Sequence, residues 1–432
     1  MIRDKTLELF SANWNCNRDK PSFVKYGNEQ IMLGRGVNIL GFNDSIKLIM
    51  TYDCCIDDYA RSIQLKLKEL YDGQEYDYLI FITHDDATCK THPDLLQNYL
   101  IFMDCKLLEK LSFRGSYLMI FDLKKREIVY EVCDNQFPIH EWFYVDDKLE
   151  HLGIPVYLIV YNSLHFTKKS VEQLRKYTRN IHIIDNKSDY PPLLQYYDNE
   201  YEFFLDRQLT NYGHTVWMNQ MFWQFPRIFA ITDPDLEFNV NLPNNFLEIL
   251  IQLTHQYKKG KVGFALDISD AELFYQDNNY TLGASIEEWE KRFWIKKIDN
   301  SEYELYDAGI DTTFCVVNKE FKETGNAIRV AGDFTCKHIP WYQGWQKQLG
   351  EEEWNYYKMN NISSGTIKMM MSSQLALHND LVQMYEETQF IINKIDELSS
   401  KIAGLDIKIE SESLRNVKMS LANKIYDNCC DN

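Results

Sequence analysis

Two aspartates one residue apart, Asp233 and Asp235, end the apolar run in the stretch FAITDPDLEF, Phe229 to Phe238. A hard divalent cation such as Mg²⁺ or Mn²⁺ takes oxygen ligands, commonly one or two carboxylates completed by substrate phosphates. Pro234 between the two aspartates fixes its own φ and removes a donor, so the turn is stiff. An Asp-Pro pair also closes ordinary turns, so metal binding and a plain strand end are both open readings of this stretch alone. Further along stand Glu290 beside Trp289, Asp311 before Thr312-Thr313, and His338 beside Pro340-Trp341-Tyr342. A carboxylate set among aromatic rings can serve as a general base. A neutral imidazole suits a metal, although a histidine in an aromatic cluster also serves packing. Glu290 itself stands in a charged stretch with Glu287, Glu288, Lys291 and Arg292, which also reads as a solvated helix face.

The rest of the chain must position these groups. At 432 residues it has room for two or three domains. It is 45% hydrophobic and 14% aromatic, enough to bury sizeable cores. The net charge of −18 is spread along the chain, which argues against a nucleic-acid partner bound by phosphate neutralisation. No apolar run reaches the roughly 18 residues of a membrane span, and the start, MIRDKTLELF, has no signal core. The ten cysteines show no zinc spacing; Cys54-Cys55 and Cys429-Cys430 are adjacent pairs. The expected state is reduced thiols in a cytoplasmic compartment.

Residues 1–135 alternate short strands and helices. Ile31-Met32-Leu33 leads into Gly34-Arg35-Gly36-Val37-Asn38, and Ile46 to Tyr52 is a second strand. Asp58 to Tyr71 reads as a helix with Ala60, Ile63, Leu65, Leu67 and Leu70 for its apolar side. Tyr78 to Thr83 is a buried strand ending in His84-Asp85-Asp86-Ala87; a helical stretch around Leu95 to Leu111 and Arg114-Gly115-Ser116 follow, then a strand from Tyr117 to Phe121. In this order the GRGxN strand, the D-D-A strand end and the R-G-S before the next strand resemble the interleukin-like ILEI/PANDER domain, over roughly residues 20 to 130. The same module forms the stem of protein O-linked-mannose N-acetylglucosaminyltransferases, where it binds sugar. The resemblance places Asp85 and Arg114 at glycan contacts, with Tyr117 near the position where that stem has a Trp. The residues alone also allow an internal Asp-Arg pair that fixes a loop.

A linker is expected at 136–153, followed by a second pattern over 154–365. Ile154 to Asn162 is a near-continuous apolar run, as for a parallel strand buried on both faces. Lys169 to Lys176 reads as a helix, Ile181 to Ile184 as a strand ending in Asp185-Asn186-Lys187-Ser188, and Tyr190-Pro191-Pro192 as a helix start. Tyr212-Gly213-His214-Thr215 leads toward the aspartate pair, and Lys261 to Ile268 is a further strand. Polar clusters at successive strand ends are where open α/β sheets bind ligands. Downstream lie Trp289-Glu290 with Phe293-Trp294, Asp311-Thr312-Thr313-Phe314, and Arg329-Val330-Ala331-Gly332 leading to His338-Ile339-Pro340-Trp341-Tyr342. The series resembles a GT-A glycosyltransferase of the family-2-like kind, with Ile339 where that group has Leu.

That resemblance implies a Rossmann-like nucleotide-sugar domain that moves a sugar from a nucleotide-diphosphate donor, a uridine one by preference, to a glycan or glycoprotein hydroxyl with inversion. It implies Asp233, Asp235 and His338 around Mn²⁺ or Mg²⁺, with Asp235 the more direct ligand. It places Asn162, Asp185, Asn186, Ser188, Gly213, Asp233 and Trp341 on the nucleotide sugar. It makes Glu290 the base, with Glu288 and Asp311 as alternatives. The other reading is a catalytically weak GT-A fold whose first domain works as a lectin.

Residues 366–432 read as helical. Leu377, Leu381, Met384, Ile391, Ile395, Leu398, Ile402, Leu405 and Ile409 alternate steps of four and three if Thr388 takes one slot. That is a heptad seam and predicts a coiled coil, hence a homo-oligomer such as a dimer; a helix packed back on the same chain is the other possibility. The pattern breaks at Glu410 to Ser413 and resumes at Leu414, Val417, Leu421 and Ile425. The fold class expected overall is α/β: an ILEI/PANDER-like α+β domain, a GT-A domain and a helical coiled-coil segment. The domain combination looks like that of a large DNA virus enzyme, placed in host cytoplasm or virion.

Overall fold

The computed structural model describes residues 2–13, 20–53, 60–73, 75–88, 103–200, 202–219, 221–276, 283–321, 327–360, 384–385 and 387–401. The fold is mixed α/β. Two compact units divide the chain: Met1–Leu273 with Glu290–Asn360, and Phe274–Trp289 with Asn361–Asn432.

The first unit begins with a sandwich of two five-stranded antiparallel sheets. One has the order β10-β9-β1-β2-β3, from β1 (Thr6–Ser11), β2 (Phe23–Tyr26), β3 (Glu29–Met32), β9 (Ile139–Val145) and β10 (Leu149–His151). The other has the order β5-β4-β6-β7-β8, from β4 (Gly36–Phe42), β5 (Ile46–Tyr52), β6 (Tyr78–His84), β7 (Ser116–Asp122) and β8 (Glu127–Asp134). Side chains alternate across a strand, and β6 shows the consequence. Ile80 and Ile82 point between the sheets and meet Leu7, Leu9 and Phe143. Leu79 and Phe81 point outward and meet Leu67 and Leu70 of the helix Ala60–Asp72. Both faces are covered, so β6 reads as an unbroken apolar run. Each such fully buried side chain contributes about 1.5–3 kcal/mol. Leu65, expected on the apolar side of that helix, is exposed instead. In the Gly34-Arg35-Gly36 turn, Gly36 has φ +102°, and a Cβ there would sit 1.9 Å from the Tyr52 carbonyl oxygen, so only glycine fits.

The expected linker at 136–153 is a correction. Its residues form β9 and β10, and β1 pairs along its whole length with β9, from Thr6↔Tyr144 to Ser11↔Ile139. The expected helix around Leu95 to Leu111 lies partly outside the described residues; from residue 103 onward the chain is turns with a 3-10 turn at Leu108–Lys110.

A nine-stranded sheet follows, in the order β13-β12-β11-β14-β19-β16-β20-β18-β17. Its members are β11 (Val156–Val160), β12 (Ile181–Asp185), β13 (Phe204–Arg207), β14 (Ile228–Thr232), β16 (Lys261–Phe264), β17 (Lys297–Ile298), β18 (Leu305–Asp307), β19 (Cys315–Asn318) and β20 (Ala327–Val330). The four strands β13, β12, β11 and β14 are parallel, and β19 runs antiparallel between β14 and β16. The helices Leu164–Leu174, Pro191–Asn199 and Phe246–Tyr257 belong to this part. Phe246 of the last packs on Phe264 and Phe314. A separate ribbon pairs β15 (Leu236–Phe238) with β21 (Cys336–His338).

In the second unit, Ser285 and Glu288 exchange hydrogen bonds with each other's backbone N–H at 3.2 and 3.0 Å, a capping box that starts the helix at Ile286. Residues 384–385 and 387–401 are helical, and Met384, Ile391 and Leu398 are about half exposed. The seam positions Leu377, Leu381, Ile402, Leu405 and Ile409, and all of 414–425, lie outside the described residues. Cys105, Cys133, Cys315 and Cys336 are free thiols. Among the described residues no helix is long and apolar enough to cross a membrane.

Candidate functional site

The acidic pair sits where β14 stops, at the edge of the sheet toward which its parallel strands run. The Asp233 N–H donates to the Thr312 carbonyl at 2.9 Å, and the Thr312 hydroxyl donates to a carboxylate oxygen of Asp233. The helix Leu164–Leu174 holds the following turn. Ser170 donates its hydroxyl to the Pro234 carbonyl at 2.6 Å. Gln173 donates to the Leu236 carbonyl at 2.9 Å and accepts the Phe238 N–H at 2.8 Å. The ribbon then delivers the histidine. Leu236 lies opposite His338, and the Ile339 N–H donates to the Asp235 carbonyl at 3.0 Å. His338 Nε2 ends 3.5 Å from an Asp235 carboxylate oxygen.

Burial pushes the Asp233 carboxyl well above its ordinary range; the Asp235 charge and, more weakly, Asp311 add to this, and the Thr312 hydrogen bond opposes it. Burial lowers the His338 pKa, which favours the neutral imidazole that a metal needs. Asp235 Oδ1 and His338 Nδ1 are buried and have no hydrogen-bond partner. An orphaned buried polar atom costs about 1–3 kcal/mol, so two at one site point to a group that would satisfy them. Among the described residues no three His, Cys, Asp or Glu side chains form a complete shell. Asp235 and His338 could each offer a cation one unpartnered atom, and the rest of its shell would have to come from other ligands.

Of the residues expected on the nucleotide sugar, Asn162, Asp185, Asn186 and Ser188 lie at the ends of β11 and β12, and their side chains are engaged internally. Asn162, at φ +48°, accepts the N–H groups of Asp189 and Tyr190 at 2.8 and 3.0 Å and donates to the Asp189 carboxylate at 2.9 Å. The Ser188 hydroxyl accepts the Asn162 N–H at 2.9 Å. Asp185 is fully buried and accepts from Ser188 N–H, Tyr197 and Arg207. Asn186 donates to the carbonyl of Gly213, itself exposed at φ +62°, at 3.0 Å. Trp341 is buried and packs on the His338 ring at 4.9 Å. These groups shape the loops around the site.

Glu290 is not a solvated helix carboxylate. It is 1% exposed and paired with the Arg329 guanidinium, which also donates to the Gly309 carbonyl at 2.8 Å. Burial, partly offset by Arg329, pushes its carboxyl up to about 7. Asp311 is exposed, and its backbone is pinned by the buried Lys261 ammonium, which donates to the carbonyls of Ile310 and Asp311 at 3.0 and 3.2 Å. Glu288, the other alternative, belongs to the capping box.

In the sandwich, Asp85 and Arg114 both have positive φ, at 58° and 61°, and face each other at 3.8 Å. Tyr117, expected as a stacking face beside them, is 1% exposed and lies in the core, with its hydroxyl donating to Glu131 at 2.8 Å. Strand alternation sends it to the face that the helix Ala60–Asp72 covers. The exposed ring next to Arg114 is Phe113.

Sequence reasoning missed Thr312, Ser170, Gln173 and Arg329. Thr312 and Arg329 did stand in stretches the sequence singles out, Thr312 three residues before β19 and Arg329 at the head of Arg329-Val330-Ala331-Gly332, but neither had a role there.

No protein-family model matches the chain, and no curated protein matches it. Among solved structures, the crystal structure of S. aureus TarS 1-349 is similar over 26% of this chain and 35% of that one, at 13% identity and a TM-score of 0.21. A likeness of this extent leaves the site to be read from its own residues.

Gln173→Ala removes both hydrogen bonds that frame Leu236 and Phe238. It should cost about 1–3 kcal/mol, read as a lower denaturation midpoint in urea, and an unchanged midpoint would show that the ribbon holds without this clamp.

Proposed function

We propose that the chain is a metal-dependent glycosyltransferase of the GT-A kind. The single observation that carries this reading is the site at the end of β14, where Asp235 Oδ1 and His338 Nδ1 are buried without partners beside the second carboxylate, Asp233. The motif resemblance over 154–345 supports it, as does the position of the site beyond the ends of parallel strands. The donor proposed is a nucleotide-diphosphate sugar, with uridine preferred, and the acceptor is a glycan or glycoprotein hydroxyl.

When bound, Mn²⁺ or Mg²⁺ would stabilise the charge that grows on the leaving diphosphate. Asp235 and His338 would hold it, with Asp233, bonded by the Thr312 hydroxyl, as the further carboxylate. An inverting transfer also needs a base for the acceptor proton. Glu290 has the fitting pKa, about 7. Asp311 is the second reading, because it is the exposed carboxylate near Asp233. A base works when deprotonated, so if Glu290 serves, the rate should rise with pH through about 7. Glu290→Gln should then lower kcat by about 100-fold or more and erase that rise. If Asp311→Asn gives the large loss and Glu290→Gln keeps the profile, the roles are reversed.

The site itself is tested by thermal shift with a panel of uridine and guanosine diphosphate sugars, with Mn²⁺ or with chelator, because a ligand of the native state raises apparent stability. A metal-dependent rise is expected for at least one donor. Asp235→Asn should remove that rise and the transfer activity while leaving the ligand-free melt close to wild type. Unchanged turnover in the variant would defeat the assignment.

We also propose that the C-terminal helix pairs with a second copy of the chain. Met384, Ile391 and Leu398 follow the heptad seam and stay half exposed, as knobs awaiting a partner would. Truncation after Gly365 should lower the particle mass seen by light scattering while the remaining chain stays folded. The same number of chains per particle with and without the tail would refute pairing.

A further inference from the structure

The sheet β10-β9-β1-β2-β3 has a second face. Leu7, Leu9, Ile139 and Phe143 point into the sandwich core. Alternation sends Glu8, His140 and Trp142 the other way, toward β11, β12 and β13 of the nine-stranded sheet. Between the two sheets lies a cavity of 670 Å³, and none of the acidic-site residues, nor Asp85 or Arg114, lines it. Ligand pockets typically measure roughly 300–1,000 Å³ and favour such junctions.

Its walls combine rings and charges. His140 stacks on Trp142 with centroids 3.9 Å apart, Trp142 meets His182 edge-on at 4.5 Å, and His182 stacks on Phe204 at 4.7 Å. Glu8 accepts a hydrogen bond from His140 Nε2 at 2.8 Å. Burial opposes charge on Glu8, yet the His140 bond and the nearby Lys20 and Lys25 hold its carboxyl down to about 2. Burial takes His140 down to about 4. At neutral pH the pair is therefore a carboxylate and a neutral imidazole. Asp206 adds a second carboxyl to the lining. Lys20 lies over the Phe10 and Phe23 rings at 5.0 and 5.6 Å, and among the described residues neither Lys20 nor Lys25 forms an ion pair. The indole Nε1 of Trp142 is buried without a hydrogen-bond partner.

These features select a ligand by exclusion. Glu8, Asp206 and Asp4 against Lys20, Lys25 and Arg3 leave the cavity lining balanced in formal charge. A phosphate would meet Glu8 and Asp206, and a free cation would meet Lys20 and Lys25. A neutral polyol satisfies both sets, because each hydroxyl donates to a carboxylate and accepts from an ammonium or indole N–H, while its C–H faces rest on the rings. We propose that this cavity binds a neutral saccharide, at a site separate from both the acidic pair and the Asp85–Arg114 pair. The proposal rests on the cavity alone and does not require the chain to be a transferase.

The test is calorimetric titration of the full chain with glucose, galactose, mannose, N-acetylglucosamine and lactose, with glucuronate and inorganic phosphate as charged comparisons. At least one neutral sugar should bind saturably. Glu8→Gln and Trp142→Phe should each weaken it about tenfold, as expected for losing one hydrogen bond to a charged or buried group. Lys20→Ala, at a half-buried position, covers the case in which those two variants do not fold. Arg114→Ala and Asp235→Asn should retain wild-type affinity for that sugar. The proposal is overturned if no neutral sugar binds, if only glucuronate or phosphate binds, if every folded cavity variant keeps full affinity, or if Arg114→Ala or Asp235→Asn abolishes binding.

Discussion

The acidic site depends on a ribbon of two three-residue strands. β15 and β21 are separated by nearly a hundred residues, yet their pairing sets Leu236 against His338. Without it the imidazole has no reason to approach Asp235. A ribbon this short is marginal by itself, and its hold comes from the surroundings: Gln173 bonds both ends of β15, the Ile339 N–H extends the ladder, and Trp341 backs the imidazole. The same enclosure withdraws two carboxylates from water. Desolvation and mutual repulsion both oppose that arrangement, so the structure keeps there a charge pattern that the bare protein would be better without. Such a conflict between local cost and global fold is characteristic of functional sites.

Several strand positions were legible because strands buried on both faces read as apolar runs. β6, β11 and β14 are of this kind, and each stands where the sequence predicts a strand. β9 was not legible. Its sequence, IHEWFYV, puts His140 and Trp142 on a face that meets neither bulk core nor open solvent but the cavity against the neighbouring sheet. Mixed polar and aromatic residues suit that face and look like a linker when read along the chain. Tyr117 failed for a related reason: proximity to Arg114 in sequence says nothing of which face of β7 a ring occupies.

The polar cluster Asp185-Asn186-Lys187-Ser188 shows a second limit. Polar residues at a strand end can face a ligand or satisfy a loop, and the spacing is the same. Here the loop wins, because its buried backbone N–H groups need acceptors and Asn162, Asp185 and Ser188 supply them. Glu290 is the converse. Its neighbours Glu287, Glu288, Lys291 and Arg292 suggest a solvated face, and nothing nearby hints at a partner 39 positions away in Arg329. Breaking such a buried pair by removing one partner is costly, of order 3–5 kcal/mol, so the pair also anchors Glu290 to β20.

The strands that replace the expected linker change how the sandwich can serve the acidic site. A module on a flexible tether raises effective concentration over a range of distances set by the tether. Here β9 and β10 belong to the sandwich, and only Leu152 to Pro155 separate β10 from β11. Arg227, immediately before β14, adds a bidentate bond to Asp134 at the end of β8, at 2.7 and 3.0 Å. Lys319 packs its ammonium on Phe137 and donates to the carbonyls of Phe222 and Phe225. With so short a connection and charged groups bridging the two parts, the sandwich is docked on the nine-stranded sheet. The sandwich therefore stands at one fixed span from the acidic pair, and not over the range of distances a tether would allow.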